Sequence, residues 1–159
     1  MIRERRIYCL TPDCKSMLMW SHYAGNHRGI CLAFGVDNPL FSRARRVAYR
    51  SVYPRWMPHE FEIKQDLTIT LILTKAMEWS YEHEYRLISL QSGSKQDYLM
   101  AEADFFRLPP NALKFVIVGC EGDYETVSKI VREYEPGLPV KRIIRSPGRY
   151  ELSVEKESQ

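Results

Sequence analysis

Phe115-Val116-Ile117-Val118-Gly119-Cys120-Glu121-Gly122-Asp123, with Pro139 to Ile144 beyond it, is the stretch that decides the fold. Four consecutive apolar residues bounded by a glycine turn read as a buried strand. Asp123 is placed to cap a helix whose Val127, Ile130, Val131 and Tyr134 follow the i, i+3, i+4, i+7 stripe. Pro136-Gly137 stops that helix, and Pro139 to Ile144 supplies a second strand. Strand, helix and strand within about 30 residues form a βαβ-like unit, most often a parallel crossover. The Gly-Cys-Glu-Gly turn invites a phosphate-loop reading. It lacks the Lys-Ser/Thr pair, however, and Glu121 would repel a phosphate, so it is read as a simple turn.

Upstream, Ile7-Tyr8-Cys9-Leu10 reads as a short strand. Thr11-Pro12 offers a helix start, with Thr as cap and Pro at the first helical position. Met17, Trp20 and Ala24 continue that helix to Gly25-Asn26. Gly29 to Gly35 is an apolar run bounded by glycines, consistent with a buried strand, and Arg46 to Tyr49 looks like another. From Glu60 to Met77 the apolar spacing favours a helix, and Glu84 to Leu90 reads as a strand. Gln91 to Gln96 is a polar loop. No repeat or linker divides the chain. The expectation is one α+β domain over 1–159, a mixed sheet packed with helices.

Composition narrows the class. The 159 residues are 45% apolar and 27% charged, which fits a globular chain and argues against disorder, collagen or coiled coil. No apolar run approaches the roughly 18 residues of a membrane span, and no signal core follows the charged start Met1 to Arg6. A cytoplasmic protein with no membrane partner is expected. Charge is uneven: residues 1–50 hold nine Lys/Arg against three Asp/Glu, and the remainder fourteen against seventeen. Arg43, Arg45, Arg46 and Arg50 could contact nucleic acid, but no zinc-finger, helix-turn-helix or aromatic platform accompanies them. A solvated face is the favoured reading. Cys9, Cys14, Cys31 and Cys120 form no Cys-x-x-Cys pair. Cys9 and Cys14 joined with His22 and His27 give a Cys14-x7-His22 spacing too short for a zinc finger, so no metal is expected and the thiols are read as reduced.

Two clusters could carry chemistry. The first is Met19-Trp20-Ser21-His22-Tyr23-Ala24, at the end of the first helix. Trp20 there is most simply core. Ser21, His22 and Tyr23 gather three polar tips beside a glycine, where a ligand's ribose or phosphate would find partners. A Ser–His nucleophile is not supported, because neighbouring helical residues diverge and no orienting acid has the required position in sequence. The second cluster is Lys75, then Trp79-Ser80-Tyr81-Glu82-His83-Glu84-Tyr85-Arg86. If the stretch from Glu82 is extended, Glu82, Glu84 and Arg86 share one face, with same-face neighbours about 7 Å apart. Two carboxylates so placed raise one pKa unless Arg86 or Lys75 compensates. Paired carboxylates suit chemistry that develops positive charge at a sugar anomeric carbon. The plainer alternative is an Arg86–carboxylate pair stapling a sheet edge.

The order of these clusters, with Gly29-Ile30-Cys31-Leu32-Ala33-Phe34 and Val47-x-Tyr49 between them, resembles the bacterial family known as domain of unknown function 2971. Leu10-Thr11 after Cys9, and Val116 to Gly119 with its following helix, are similar to further parts of that family. The family pattern has an additional N-terminal segment with an Asn-Asp-Pro-Phe-type motif, and Asp37-Asn38-Pro39 is not that motif. The resemblance thus implies a shortened member, or the C-terminal part of a longer architecture. The family has no settled activity. By analogy of residue type and order, Glu82-x-Glu84 looks like the paired glutamates of ADP-ribosyltransferases. The analogy implies an ADP-ribosyltransferase-like fold and NAD or another nucleotide as ligand or substrate. Glu84 would stabilise a ribosyl cation or hold a ribose hydroxyl, and Glu82 would orient the acceptor. Tyr23 or Trp20 would stack on a ring, and Ser21 or His22 would bind ribose. Lys75, Trp79 and Arg86 would complete the ligand contacts. The alternatives are a non-catalytic binding or regulatory module, and a nucleic-acid-associated protein using Arg43 to Arg50.

Overall fold

The computed structural model describes residues 5–54, 69–90, 97–102 and 105–155. In chain order the elements are β1 (Ile7–Leu10), α1 (Met17–Tyr23), β2 (Ile30–Phe34), β3 (Arg45–Arg46), β4 (Ala48–Arg50), β5 (Thr74–Ala76), β6 (Tyr85–Ile88), β7 (Ala101–Glu102), β8 (Phe105–Phe106), β9 (Leu113–Val118), α2 (Tyr124–Tyr134), β10 (Val140–Arg145) and β11 (Leu152–Val154). Short 3₁₀ helices span Phe41–Arg43 and Met77–Glu82. The α+β expectation holds. The chain divides into two units, the first comprising Met1–Pro12 and Asp37–Pro109, the second Asp13–Val36 and Pro110–Gln159.

The second unit holds the decisive stretch. Its four-stranded sheet runs β11-β10-β9-β2, with β9 and β10 parallel and the other pairs antiparallel. The strand, helix and parallel strand are those expected. Asp123 caps α2, its carboxylate accepting from the Thr126 amide at 3.0 Å. α1 supplies Trp20 to a core of Ile117, Ile143 and Leu152, against which Met17, Ala24, Cys31 and Phe115 also pack. The glycine turn lets two backbones meet. The Gly119 amide donates to the Gly29 carbonyl at 2.9 Å, and the Glu121 amide to the His27 carbonyl at 3.1 Å. A Cβ on Gly119 would sit 2.0 Å from the His27 carbonyl oxygen, so only glycine fits there.

α1 starts later than expected. Its cap is Ser16, whose hydroxyl accepts from the Met19 amide. Thr11 is occupied elsewhere: its hydroxyl donates to the Glu82 carbonyl at 2.8 Å. Asp13 then closes a turn by accepting from the Lys15 amide at 2.8 Å. That side-chain bond competes with helix until Ser16.

In the first unit a three-stranded antiparallel sheet runs β1-β6-β3. β4 and β5 pair in parallel, and β7 and β8 antiparallel. Two sequence expectations change here. The strand expected over 46–49 is two pieces broken at Val47. Val47 is buried, its amide bonds the Glu84 carbonyl, and the next amide, that of Ala48, bonds the Leu73 carbonyl, so the chain changes partners at that point. The helix expected from Glu60 to Met77 falls outside the described residues over 60–68. Residues 69–72 are helical, but Thr74–Ala76 is a strand, held by parallel pairing with Ala48–Arg50. The polar loop read over 91–96 also lies outside the described residues. Ile72, Leu73 and Ile88 form the core cluster here. Among the described residues no helix is long and apolar enough to cross a membrane.

Candidate functional site

The acidic doublet belongs to the first unit, and its local backbone differs from the extended form expected. Glu82 closes the 3₁₀ helix, His83 adopts a left-handed conformation (φ 47°, ψ 39°), and the strand begins only at Tyr85. The reversal at His83 ends the helix before Glu84 enters the sheet. Alternation therefore does not bring the carboxylates together. Lys75 does.

The Lys75 ammonium, delivered by β5, bonds Glu82 Oε2 and, at 3.0 Å, Glu84 Oε2. Arg86 grips Glu84 with Nε to Oε1 at 2.7 Å and Nη2 to Oε2 at 3.1 Å. Its Nη1 bonds the Ile72 carbonyl, which ties β6 to the end of the 69–72 turn. The Tyr49 hydroxyl accepts from the Glu84 amide at 2.7 Å. Glu82 is 2% exposed and Glu84 3%. Two buried carboxylates and two half-buried cations thus form one hydrogen-bonded tetrad. Burial alone would raise the Glu84 carboxyl. The bonds from Arg86, the Cys9 thiol and Lys75 outweigh it and hold Glu84 at about 2. The crowding expected of a carboxylate pair is compensated, by both cations at once. Burial, the hydrogen bond to Glu84 and the charge of Glu84 push the Cys9 thiol up to about 11.

At the rim, Lys75 Nζ lies 5.1 Å from the Trp79 ring centroid, and Tyr81 lies 6.0 Å from that ring at a 39° tilt. Trp79 is 39% exposed. In the same unit Arg43 is paired with Asp97 at 2.6 Å. Arg45 and Arg46 are successive strand residues, so they emerge from opposite faces of β3.

The helix-end cluster belongs to the second unit. Trp20 is core, its indole N–H donating to the Cys14 carbonyl at 2.8 Å. His22 and Tyr23 are exposed, with ring centroids 6.3 Å apart in an edge-on arrangement. Ser21 does not pair with its neighbour His22. Its Oγ donates to the Met17 carbonyl at 3.0 Å and lies 2.9 Å from Nε2 of His27. Sequence reasoning missed His27, Cys9 and Tyr49 as partners. Tyr49 already stood in the Val47-x-Tyr49 pattern, whereas Cys9 meets the tetrad only through its register opposite Arg86. Among the described residues no three His, Cys, Asp or Glu side chains are grouped to hold a metal ion.

Residues 19–87, which carry both clusters, match the model of a family described as a protein of unknown function (DUF2971). No curated protein and no solved structure matches the chain.

Proposed function

We propose that this chain, which belongs through residues 19–87 to the DUF2971 family, is a nucleotide-binding module in which the acidic doublet serves the fold. One observation carries the structural half of this reading. Glu82 and Glu84 are 2% and 3% exposed, and their oxygens are engaged by Lys75 and Arg86. A carboxylate that is to meet a ribosyl cation must face substrate, and removing Glu84 from this tetrad would leave the half-buried Arg86 without its carboxylate partner. The ligand half rests on the end of α1, where Tyr23, 60% exposed, offers an aromatic ring beside His22. A base stacked on such a ring gains about 1–3 kcal/mol.

One observation favours ADP-ribosyl transfer as the second reading. Glu84 is held ionised across the physiological range, as a group stabilising an oxocarbenium-like centre must be. The two readings separate in one experiment on wild type and Glu84→Gln, following nicotinamide release from NAD together with thermal unfolding. The structural role predicts no nicotinamide release by wild type and a loss of about 3–5 kcal/mol of stability in Glu84→Gln. Release by wild type that disappears in a Glu84→Gln protein of unchanged stability would establish transfer instead. For the ligand, Tyr23→Ala should weaken nucleotide binding at least tenfold by calorimetry. Equal affinity in wild type and variant would remove Tyr23 from the site.

A further inference from the structure

The end of α1 contains a second pairing with chemistry of its own. Gly25, Asn26 and His27 adopt positive φ in succession, 54°, 55° and 67°. For Asn and His this region carries strain, and such strain persists only where the surroundings over-determine it. They do so here. The His27 amide donates to the Trp20 carbonyl at 3.1 Å, its carbonyl accepts from Glu121, and the glycine turn at Gly119 closes against that same carbonyl. The turn folds the chain back along α1 and sets the imidazole Nε2 2.9 Å from Ser21 Oγ. Both residues are half-buried, so neither is sealed from solvent.

We propose that Ser21 and His27 form a nucleophile–base pair that accepts an acyl or equivalent electrophilic group from an activated ester, an activity separate from nucleotide binding at Tyr23. The distance is that of a nucleophile hydrogen-bonded to its general base. The hydroxyl proton is donated to the Met17 carbonyl at 3.0 Å, and for the transfer it must turn to His27 Nε2, which lies 2.9 Å from the same Oγ. Nε2 is a base in the tautomer that carries its proton on Nδ1. In the reaction Ser21 Oγ bonds to the carbonyl carbon and the Oγ proton passes to Nε2. The ester C–O bond breaks, and the leaving alcohol takes the proton from Nε2. Water then attacks the acyl-serine by the same route, releasing the acid and restoring Ser21. Among the described residues Nδ1 is buried and has no hydrogen-bond partner, so the pair lacks the third, orienting group of a triad. It is accordingly matched to activated substrates rather than to amides.

The test uses a fluorophosphonate probe on the whole chain. Attack forms an Oγ–P bond and expels fluoride, with the proton going to His27. Intact mass and peptide mapping should place one adduct on Ser21. Ser21→Ala should lose it, and His27→Asn, which keeps a residue tolerant of positive φ, should slow labelling at least a hundredfold. Unchanged labelling in His27→Asn, or an adduct mapped elsewhere, would overturn the pair. Mapping on wild type decides the matter even if a variant fails to fold: no adduct on Ser21 after prolonged exposure refutes the proposal outright.

Discussion

Cys9 shows how burial and a neighbouring charge together govern a thiol's reactivity. It is an exposed residue on β1, opposite Arg86 in the register, and by position an obvious target for alkylation. Its thiol, however, donates towards a carboxylate that stays ionised, and burial and that carboxylate together hold it at about 11. At pH 8 a thiol with the ordinary value of 9.0 is roughly one-tenth thiolate, whereas Cys9 is about one-thousandth. Cys9 should therefore react with iodoacetamide about a hundredfold more slowly than a free thiol, and Glu84→Gln should remove the part of that protection that burial does not supply. Mass spectrometry of the Cys9 peptide over time measures both. Equal rates in wild type and variant would mean that Glu84 does not control the thiol. None of this was legible in the sequence. The composition of the second cluster marks a charged site, and Lys75, Arg86 and both glutamates stand out in it. The left-handed His83 was not foreseen, because a single backbone reversal between two glutamates has no periodic signature. Likewise the sequence sets Ser21 beside His22, while its partner His27 lies beyond a turn whose conformation the residues alone do not dictate.

Elements defined by local pattern were the legible ones. The apolar stripe and Asp123 cap of α2, and the glycine-bounded runs of β2 and β9, each carry their signal within a few residues. Asp123→Ala should accordingly cost about 1 kcal/mol, read from chemical denaturation, as the Thr126 amide loses its acceptor. β5 carries no such local signal. Thr74-Lys75-Ala76 sits in a segment of helical spacing and becomes a strand only because Ala48–Arg50 pairs with it from far up the chain. Tertiary pairing overrode propensity there. The glycine turn lies between these cases. Its sequence marked a turn correctly, but not the requirement for space. Gly119 is needed for close approach, since a methyl group would enter the His27 carbonyl at 2.0 Å with backbone on both sides. Gly119→Ala should lower stability by about 3 kcal/mol or more. Because the turn positions His27, it should also slow fluorophosphonate labelling of Ser21 in whatever fraction remains folded. A loss under 1 kcal/mol would show that the 25–29 segment can move away at little cost.

Across the whole molecule, the two units are held by different physics, and acid distinguishes them. The second unit's core is apolar, with Trp20, Ile117, Ile143 and Leu152 at its centre. The first places an ionic tetrad beside its small apolar cluster of Ile72, Leu73 and Ile88. Glu84 has a folded pKa of about 2 against an ordinary value of 4.5. A depressed carboxyl stabilises the folded state above its unfolded value, and that contribution fades as pH falls from about 4.5 towards 2. Allowing for screening by the solvent that reaches Lys75, the loss is on the order of 2 kcal/mol. It falls on the elements the tetrad ties together: β5, β6 and the 69–72 turn. Amide hydrogen exchange measured at pH 5.5 and again at pH 3, corrected for intrinsic rates, should show β6 protection falling by about tenfold, with β9 and β10 changing little. In Glu84→Gln the titrating group is gone, so protection of β6 should already be low at pH 5.5 and lose its dependence on pH across that interval. A uniform loss over both units would place the acid-sensitive groups outside the tetrad, and the doublet would no longer account for how this fold responds to protons.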